Sequence, residues 1–176
     1  MSQLTEILII LTVVFIGYVI WKYWTLTIGA GYDPTPQAMV DKMLDLAKVG
    51  EGDVLYDLGS GDGRILITAA KRHGVHAVGI EVDPFRYVFS WCAVRRAGYG
   101  DRVKLRFGNF FAKDIRDATV VTLFLFGPTN KRLRKKFKEE LKSGTRVVSY
   151  MWPIEDWKCE DALPDEQIYL YRVTQS

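Results

Sequence analysis

Val54-Leu55-Tyr56-Asp57-Leu58-Gly59-Ser60-Gly61-Asp62-Gly63-Arg64 is the stretch that decides the fold of this chain. A short apolar run breaks into three glycines within five positions, and the residues over 64–72 then read as a helix. Glycine opens backbone conformations closed to other residues and allows close approach to a ligand. The N-terminus of the following helix offers free N–H groups to a negatively charged ligand group. Strand, glycine turn and helix together predict a nucleotide-type cofactor loop.

Working outward, strands are expected over 54–57, 76–81, 103–107, 119–126 and 145–151, with helices over 64–72, 83–97 and 128–141 between them. The run Thr119-Val-Val-Thr-Leu-Phe-Leu-Phe126 is continuously apolar, as a central strand covered on both faces requires. Alternating strands and helices imply right-handed βαβ units and an α/β, doubly wound, mostly parallel sheet. A final strand over 167–174 is expected to run antiparallel. Little room remains between the fifth strand and Gln167 for another helix–strand unit, so 157–162 is expected to supply only a short strand and the sheet to be reduced there. Upstream, Val40, Met43, Leu44 and Ala47 recur at helical spacing and predict an amphipathic helix over 36–48, with Thr35 as its N-cap. Alone, Tyr32-Asp33-Pro34-Thr35-Pro36 reads as a rigid turn leading into that cap.

Composition bounds the answer. A chain of 176 residues suits one well-buried domain of ordinary size. Its net charge of +3 is too mild to imply nucleic-acid binding. Cys92 and Cys159 lie far apart without a histidine at metal-ligand spacing, so no metal site and no disulfide scaffold are expected. Both thiols are expected in or near the core.

The N-terminus departs from this soluble pattern. Within residues 4–24 only Glu6 and Lys22 are charged, one near each end, and Trp21, Tyr23 and Trp24 cluster where interfacial aromatics belong. About 20 such residues span roughly 30 Å, the thickness of a bilayer's hydrocarbon. A signal peptide would show a basic start and a small-residue cleavage site, neither of which is present; a helix buried against the domain is the other alternative. The expected organisation is a transmembrane anchor over 4–24, a linker and cofactor-closing segment over 25–35, and the main domain over 36–176. Lys22 near its end is followed by Lys42 and Lys48, and the positive-inside rule places the main domain in the cytoplasm on a single-pass anchor.

A dinucleotide fold would place a third glycine where Arg64 stands. Asp57, ahead of the turn, would repel a pyrophosphate and suits a ligand with an ammonium group and no phosphate. Glu81, ending the second strand, can accept the hydroxyls of a ribose. S-adenosylmethionine (SAM) has both properties.

Asp57-Leu58-Gly59-Ser60-Gly61-Asp62-Gly63-Arg64 with Glu81 resembles motifs I and post-I of class I SAM-dependent methyltransferases. The resemblance continues through the N-terminal apolar helix, Tyr32-x-Pro34-Thr35-Pro36, Gly108-Asn109-Phe110-Phe111, Gly144 to Tyr150 and Pro153-x-x-x-Trp157. In this combination the chain is similar to the ATP-synthase c-subunit lysine methyltransferase family and its small prokaryotic relatives. The resemblance implies a Rossmann-like methyltransferase sheet and SAM as cofactor. It implies that Asp57, Gly59, Ser60 and Gly61 hold the methionine end, Glu81 the ribose, and Asn109 with Phe110 the adenine. Tyr32 and Thr35 would close over the cofactor and stand nearest the chemistry. The implied partner is a protein carrying a lysine, itself associated with the membrane; a small or lipid-like acceptor, or silent SAM binding, are the alternatives. A dry channel lined by Tyr32, Phe124, Tyr150 or Trp152 would strip the acceptor amine of its proton by desolvation. His73 and His76 fall at the wrong end of the sheet to act as bases. The basic run Lys131 to Lys138 reads as a solvated helix face, or alternatively as a rest for anionic lipid.

Overall fold

In the computed structural model, which describes residues 3–28 and 33–174, the glycine stretch begins as β1 (Val54–Leu58) at the centre of a seven-stranded sheet. The other strands are β2 (His76–Glu81), β3 (Val103–Phe107), β4 (Val120–Leu123), β5 (Arg146–Tyr150), β6 (Cys159–Leu163) and β7 (Ile168–Arg172). Their order is β3-β2-β1-β4-β5-β7-β6. The first five run parallel, and β7 lies antiparallel between β5 and β6. Strand order reverses between β1 and β4, so a crevice opens beyond the carboxyl ends of those two strands.

Helices cover the two faces unequally. On one face lie α2 (Gln37–Leu46), α3 (Arg64–His73) and α4 (Pro84–Arg96), and Met43, Leu44, Leu55 and Leu66 are fully buried there. Full burial of each such side chain stabilises by about 1.5–3 kcal/mol. The other face is covered by α5 (Gly127–Glu140), through Leu133 and Phe137, and by the segment holding Phe110 and Ile115. Asp83 caps α4 as the sequence suggests, its Oδ1 accepting from the N–H groups of Phe85 (2.9 Å) and Arg86 (3.1 Å).

Several expectations change. The sheet is not reduced, because β6 forms in full at its edge. What is missing is the crossover helix: residues 151–158 pass from β5 to β6 as a loop. Eight extended residues reach about 26 Å, enough to cross two strand spacings of about 5 Å and return one strand length. The loop is pinned by buried Ile154, whose N–H donates to Tyr171 Oη at 2.9 Å, and by Trp157 stacked on Tyr171 at 5.5 Å. The fourth strand ends at Leu123 rather than 126, since Phe124 to Phe126 leave the ladder; Leu125 is instead buried close under Gly59. Thr35 does not cap α2, because the helix begins one residue later with Pro36 at the cap and no side-chain bond. Both cysteines are exposed, Cys92 on the outer side of α4 and Cys159 on the edge strand β6, not packed in the core.

The N-terminal helix α1 (Gln3–Ile28) is longer than the anchor expected over 4–24. Thr25-Leu26-Thr27-Ile28 contains no helix breaker, and the first glycine of the linker stands at 29. Residues Gln3–Ile20 have a mean hydropathy of 2.2 and none of them is buried against the domain.

The basic run of α5 is a solvated face at Lys135 and Lys138, as one reading expected, and is engaged elsewhere. Lys131 pairs with Glu155 (3.0 Å) and Arg134 with Asp156 (3.1 Å), both on the loop that replaces the crossover helix. Arg132 lies over the Phe111 ring at 4.5 Å, and Lys136 is buried against Glu140 at 2.6 Å. The run therefore fastens two loops to the helix.

Candidate cofactor cleft

The crevice at the carboxyl ends of β1 and β4 is lined by Asp33, Thr35, Asp57, Gly59, Ser60, Gly61, Asp62, Arg64, Glu81, Arg86, Phe110 and Phe124, among others. Three glycines shape the turn, with φ of 85° at Gly59, 54° at Gly61 and 80° at Gly63. These values lie in the left-handed region that glycine enters without steric penalty. The N–H groups of Gly59 (2.9 Å) and Ser60 (3.2 Å) both donate to the Ile80 carbonyl, which ties the turn to β2. Beneath it, a Cβ at Gly79 would stand 2.7 Å from Ser60 Oγ and 2.5 Å from a Leu66 methyl. Only glycine lets the turn settle on the sheet at that point.

Carboxylates dominate the polar lining. Asp57 is buried, and Thr122 on the neighbouring β4 donates to its Oδ1 at 2.8 Å. Burial pushes the Asp57 carboxyl up to about 7; the Thr122 bond opposes this, while the charges of Glu81 and Asp62 add to it. Glu81 is buried too, and burial raises its carboxyl above the usual range against the pull of its backbone donors. Its Oε2 accepts from Gly61 N–H at 2.8 Å, and its Oε1 from Val82 and Asp83 N–H at 2.9 Å each. Glu81 thus fixes the glycine turn from the side and is itself held rigid for a ligand.

Two N–H groups, one in the glycine turn and one at the first residue of α3, are already engaged. Gly61 donates to Glu81, and Arg64 donates to Asp62 Oδ1 at 3.2 Å. An acid-lined cleft with these donors occupied disfavours phosphate and suits a cationic ligand bearing hydroxyls.

Arg64, the residue that argued against a dinucleotide, links the turn to the chain entering from α1. Its guanidinium forks onto Asp62 at 2.6–3.0 Å, and Nη1 donates to the Thr35 carbonyl at 2.9 Å. Thr35 is buried and lines the cleft. Tyr32 lies outside the described residues. Phe110 is buried in the cleft wall, whereas exposed Asn109 caps the short 3₁₀ turn Phe110–Ala112, its Oδ1 accepting from Phe111 N–H at 2.9 Å, and does not line the cleft. His73 and His76 sit at the opposite edge, closing α3 and opening β2. Sequence reasoning missed Asp33, Asp62 and Arg86 as lining residues. The only signal for Arg86 was its place in the first turn of a helix capped at the strand end.

Beside Phe124 the carboxyl ends of β4 and β5 carry an aromatic rim. Phe124 packs on Tyr150 at 4.7 Å between ring centroids, and Phe126 meets Trp152 edge-on at 6.0 Å. Asn130, fully buried at the start of α5, donates to the Trp152 carbonyl (3.0 Å) and to Ser149 Oγ (3.2 Å). Ser149 Oγ donates to the same carbonyl at 2.6 Å. The rim is therefore held in place from behind.

Comparison with known proteins agrees with this geometry. Residues 57–161 match the ANTKMT methyltransferase domain. A protein of Saccharolobus islandicus named protein-lysine N-methyltransferase is 45% identical over 80% of this chain and 91% of its own length. The mouse lysine N-methyltransferase of the ATP-synthase c-subunit is 32% identical over 70% of this chain, which spans about half (49%) of that protein. A crystal structure titled RNA methyltransferase, from Salinibacter ruber with S-adenosyl-L-homocysteine bound, superposes with a TM-score of 0.79 at 44% identity, covering 82% of this chain and 95% of the other.

Proposed function

The chain belongs to the ANTKMT methyltransferase domain family and is a SAM-dependent methyltransferase, and from this premise we propose that it methylates lysine side chains of a protein at a membrane surface. The observation that carries the acceptor assignment is the aromatic rim of Phe124, Tyr150, Phe126 and Trp152 beside the acid-lined cleft. The names of the relatives, which include lysine methyltransferases, support the same reading.

Bound SAM would supply an electrophilic methyl on a sulfonium, whose carbon an amine lone pair would attack in one step with the thioether as leaving group. The chain's own part is placement and environment. Asp57 would face the ammonium of the methionine end, with Gly59, Ser60 and Gly61 allowing close approach. Glu81 would accept the ribose hydroxyls, and Phe110 in the cleft wall would flank the adenine. Thr35, which lines the cleft, would cover the reacting end. The rim desolvates the incoming ammonium, which lowers its pKa from about 10.4 and releases the proton to solvent before transfer. Aromatic faces also favour the methylated ammonium product by cation–π attraction. No side-chain base is needed. Orientation of this kind supplies roughly 7–11 kcal/mol of barrier lowering.

The helix α1 supplies the membrane tether, its exposed apolar surface being long enough to cross a bilayer with the main domain on the cytoplasmic side. Residues 36–176 form the catalytic domain in this reading.

Arg64 is expected to position the segment that closes the cleft. Arg64→Ala removes a charged hydrogen bond to Thr35 and frees Asp62, and should weaken SAM binding roughly tenfold or more in calorimetry. Arg64→Lys should fail to rescue it, lacking the planar fork. An unchanged affinity in both variants contradicts that role.

The function is tested by incubating purified chain and methyl-labelled SAM with membranes, then separating protein, lipid and RNA. Label is expected in protein and acid-stable on lysine. Label confined to lipid or to RNA overturns the lysine assignment in favour of those acceptors.

A further inference from the structure

The outer side of α4 takes no part in the cleft, yet it is built of large apolar residues. Val88 is 57% exposed, Phe89 64% and Trp91 48%, and Cys92 is exposed among them. Positions 88, 89 and 92 fall on one helical stripe. Trp91 flanks it, with the Arg95 guanidinium 5.2 Å over its ring. Between Pro84 and Arg96 the helix holds three arginines and no acid, and its last turn ends in Arg95-Arg96. The adjoining groove adds Lys104 and Arg106 from the edge strand β3; the acids flanking the helix in the chain are Asp83, paired with Arg86 at 3.7 Å, and Asp101. Aromatic and aliphatic side chains on one stripe, bordered by arginines, are the composition of a helix that lies in the interfacial plane of a bilayer.

Covalent reach places a bilayer near this helix. Asp33 lines the cleft, and so does Arg86 from the first turn of α4. Five chain steps separate Ile28, the end of α1, from Asp33. They span no more than about 18 Å. From the end of the anchor at residue 24, four further helical steps of about 1.5 Å bring the total to about 24 Å, so a membrane holding residues 4–24 lies within about that distance of Asp33 at the cleft rim. On α5, by comparison, Lys131, Arg134 and Lys136 are already paired with Glu155, Asp156 and Glu140.

We infer that the outer face of α4 is a second membrane contact, seating Val88, Phe89 and Trp91 among anionic lipid headgroups with Arg95 and Arg96 on the phosphates. This rests on α1 being the tether. It adds that the cleft rim is held at headgroup level, so the acceptor lysine belongs to the membrane-proximal part of its protein.

The test uses the full chain with Cys159→Ser and an environment-sensitive fluorophore on Cys92, in vesicles of phosphatidylcholine with or without phosphatidylglycerol and a shallow lipid-borne quencher. The Cys92 probe is expected to shift to the blue and be quenched when phosphatidylglycerol is present. Phe89→Glu should abolish the quenching, and Arg95→Glu with Arg96→Glu should lower the equilibrium constant of the contact roughly thirtyfold or more, the vesicles still retaining the chain. A probe on Cys159 in a Cys92→Ser chain, at the far edge of the sheet, should stay unquenched. A retained chain with an unquenched Cys92 probe overturns the α4 contact and leaves the tether standing. Shielding of the probe that follows protein concentration without lipid overturns it in favour of a second copy. A chain that does not associate with vesicles overturns tether and contact together, while methyl transfer to lysine is read separately.

Discussion

Asp57→Asn is expected to weaken SAM binding by roughly thirtyfold or more at pH 8, read by calorimetry. Asp57 is the buried carboxylate at the head of the glycine turn, steadied by Thr122 at 2.8 Å. Its ionised form matches a ligand ammonium in a site where Gly61 N–H and Arg64 N–H are already engaged by acids. Removing one member of a buried charge pair typically costs about 2–5 kcal/mol. The pH dependence follows from the raised carboxyl, at about 7. Below that pH the free protein holds a proton on Asp57, which a cationic ligand must expel, so affinity should fall up to about tenfold per pH unit. For the ligand-free protein the same carboxyl acts in the opposite sense to a salt-bridged one. Its contribution to stability is greatest below the ordinary carboxylate range near 4, and is lost as pH rises through about 7. Asp57→Asn should flatten both profiles. A wild-type affinity that does not change between pH 8 and pH 6 contradicts this account of Asp57.

Lys136→Ala should destabilise the fold by about 3 kcal/mol, whereas Lys135→Ala, one residue away, should change it by no more than about 0.5 kcal/mol. The Lys136 side chain is 7% exposed, and its Nζ donates to Glu140 Oε1 and the Lys113 carbonyl at 2.6 Å each. Its loss takes the donor from Glu140 Oε1 on α5 and from the Lys113 carbonyl on the segment that carries Phe110 into the cleft. Lys135 is 83% exposed and stands 3.8 Å from Glu139. Denaturant midpoints of the detergent-solubilised chain separate the two, and equal midpoints would show that Lys136 is not the buried fastening described.

Much of the fold was legible because its signals are local. The glycine turn, the Asp83 cap and the apolar strands each follow from a few adjacent residues, and β2 and β3 fall at the expected boundaries. The errors have a common origin in tertiary packing. The apolar run over 119–126 keeps its composition beyond the hydrogen-bonded strand, because Leu125 packs under Gly59 and Phe124 faces the cleft. The basic run of α5 gives no hint that its partners lie in a loop more than 20 residues onward. Sequence spacing also cannot reveal that a bare loop suffices between β5 and β6, since the Tyr171 anchor comes from β7. Within the cleft, Asp57, Glu81 and the glycines were readable from strand ends. Asp33 and Arg86 were not, because they reach the site from elements whose docking the sequence does not state.

The most direct test of the central claim is tandem mass spectrometry of membrane proteins incubated with the full chain and SAM carrying a deuterated methyl. The account predicts the deuterated methyl on lysine Nζ, in a membrane-proximal segment of a membrane protein, and none with the Asp57→Asn chain. Deuterated methyl on RNA or lipid, with lysines unlabelled, would contradict it.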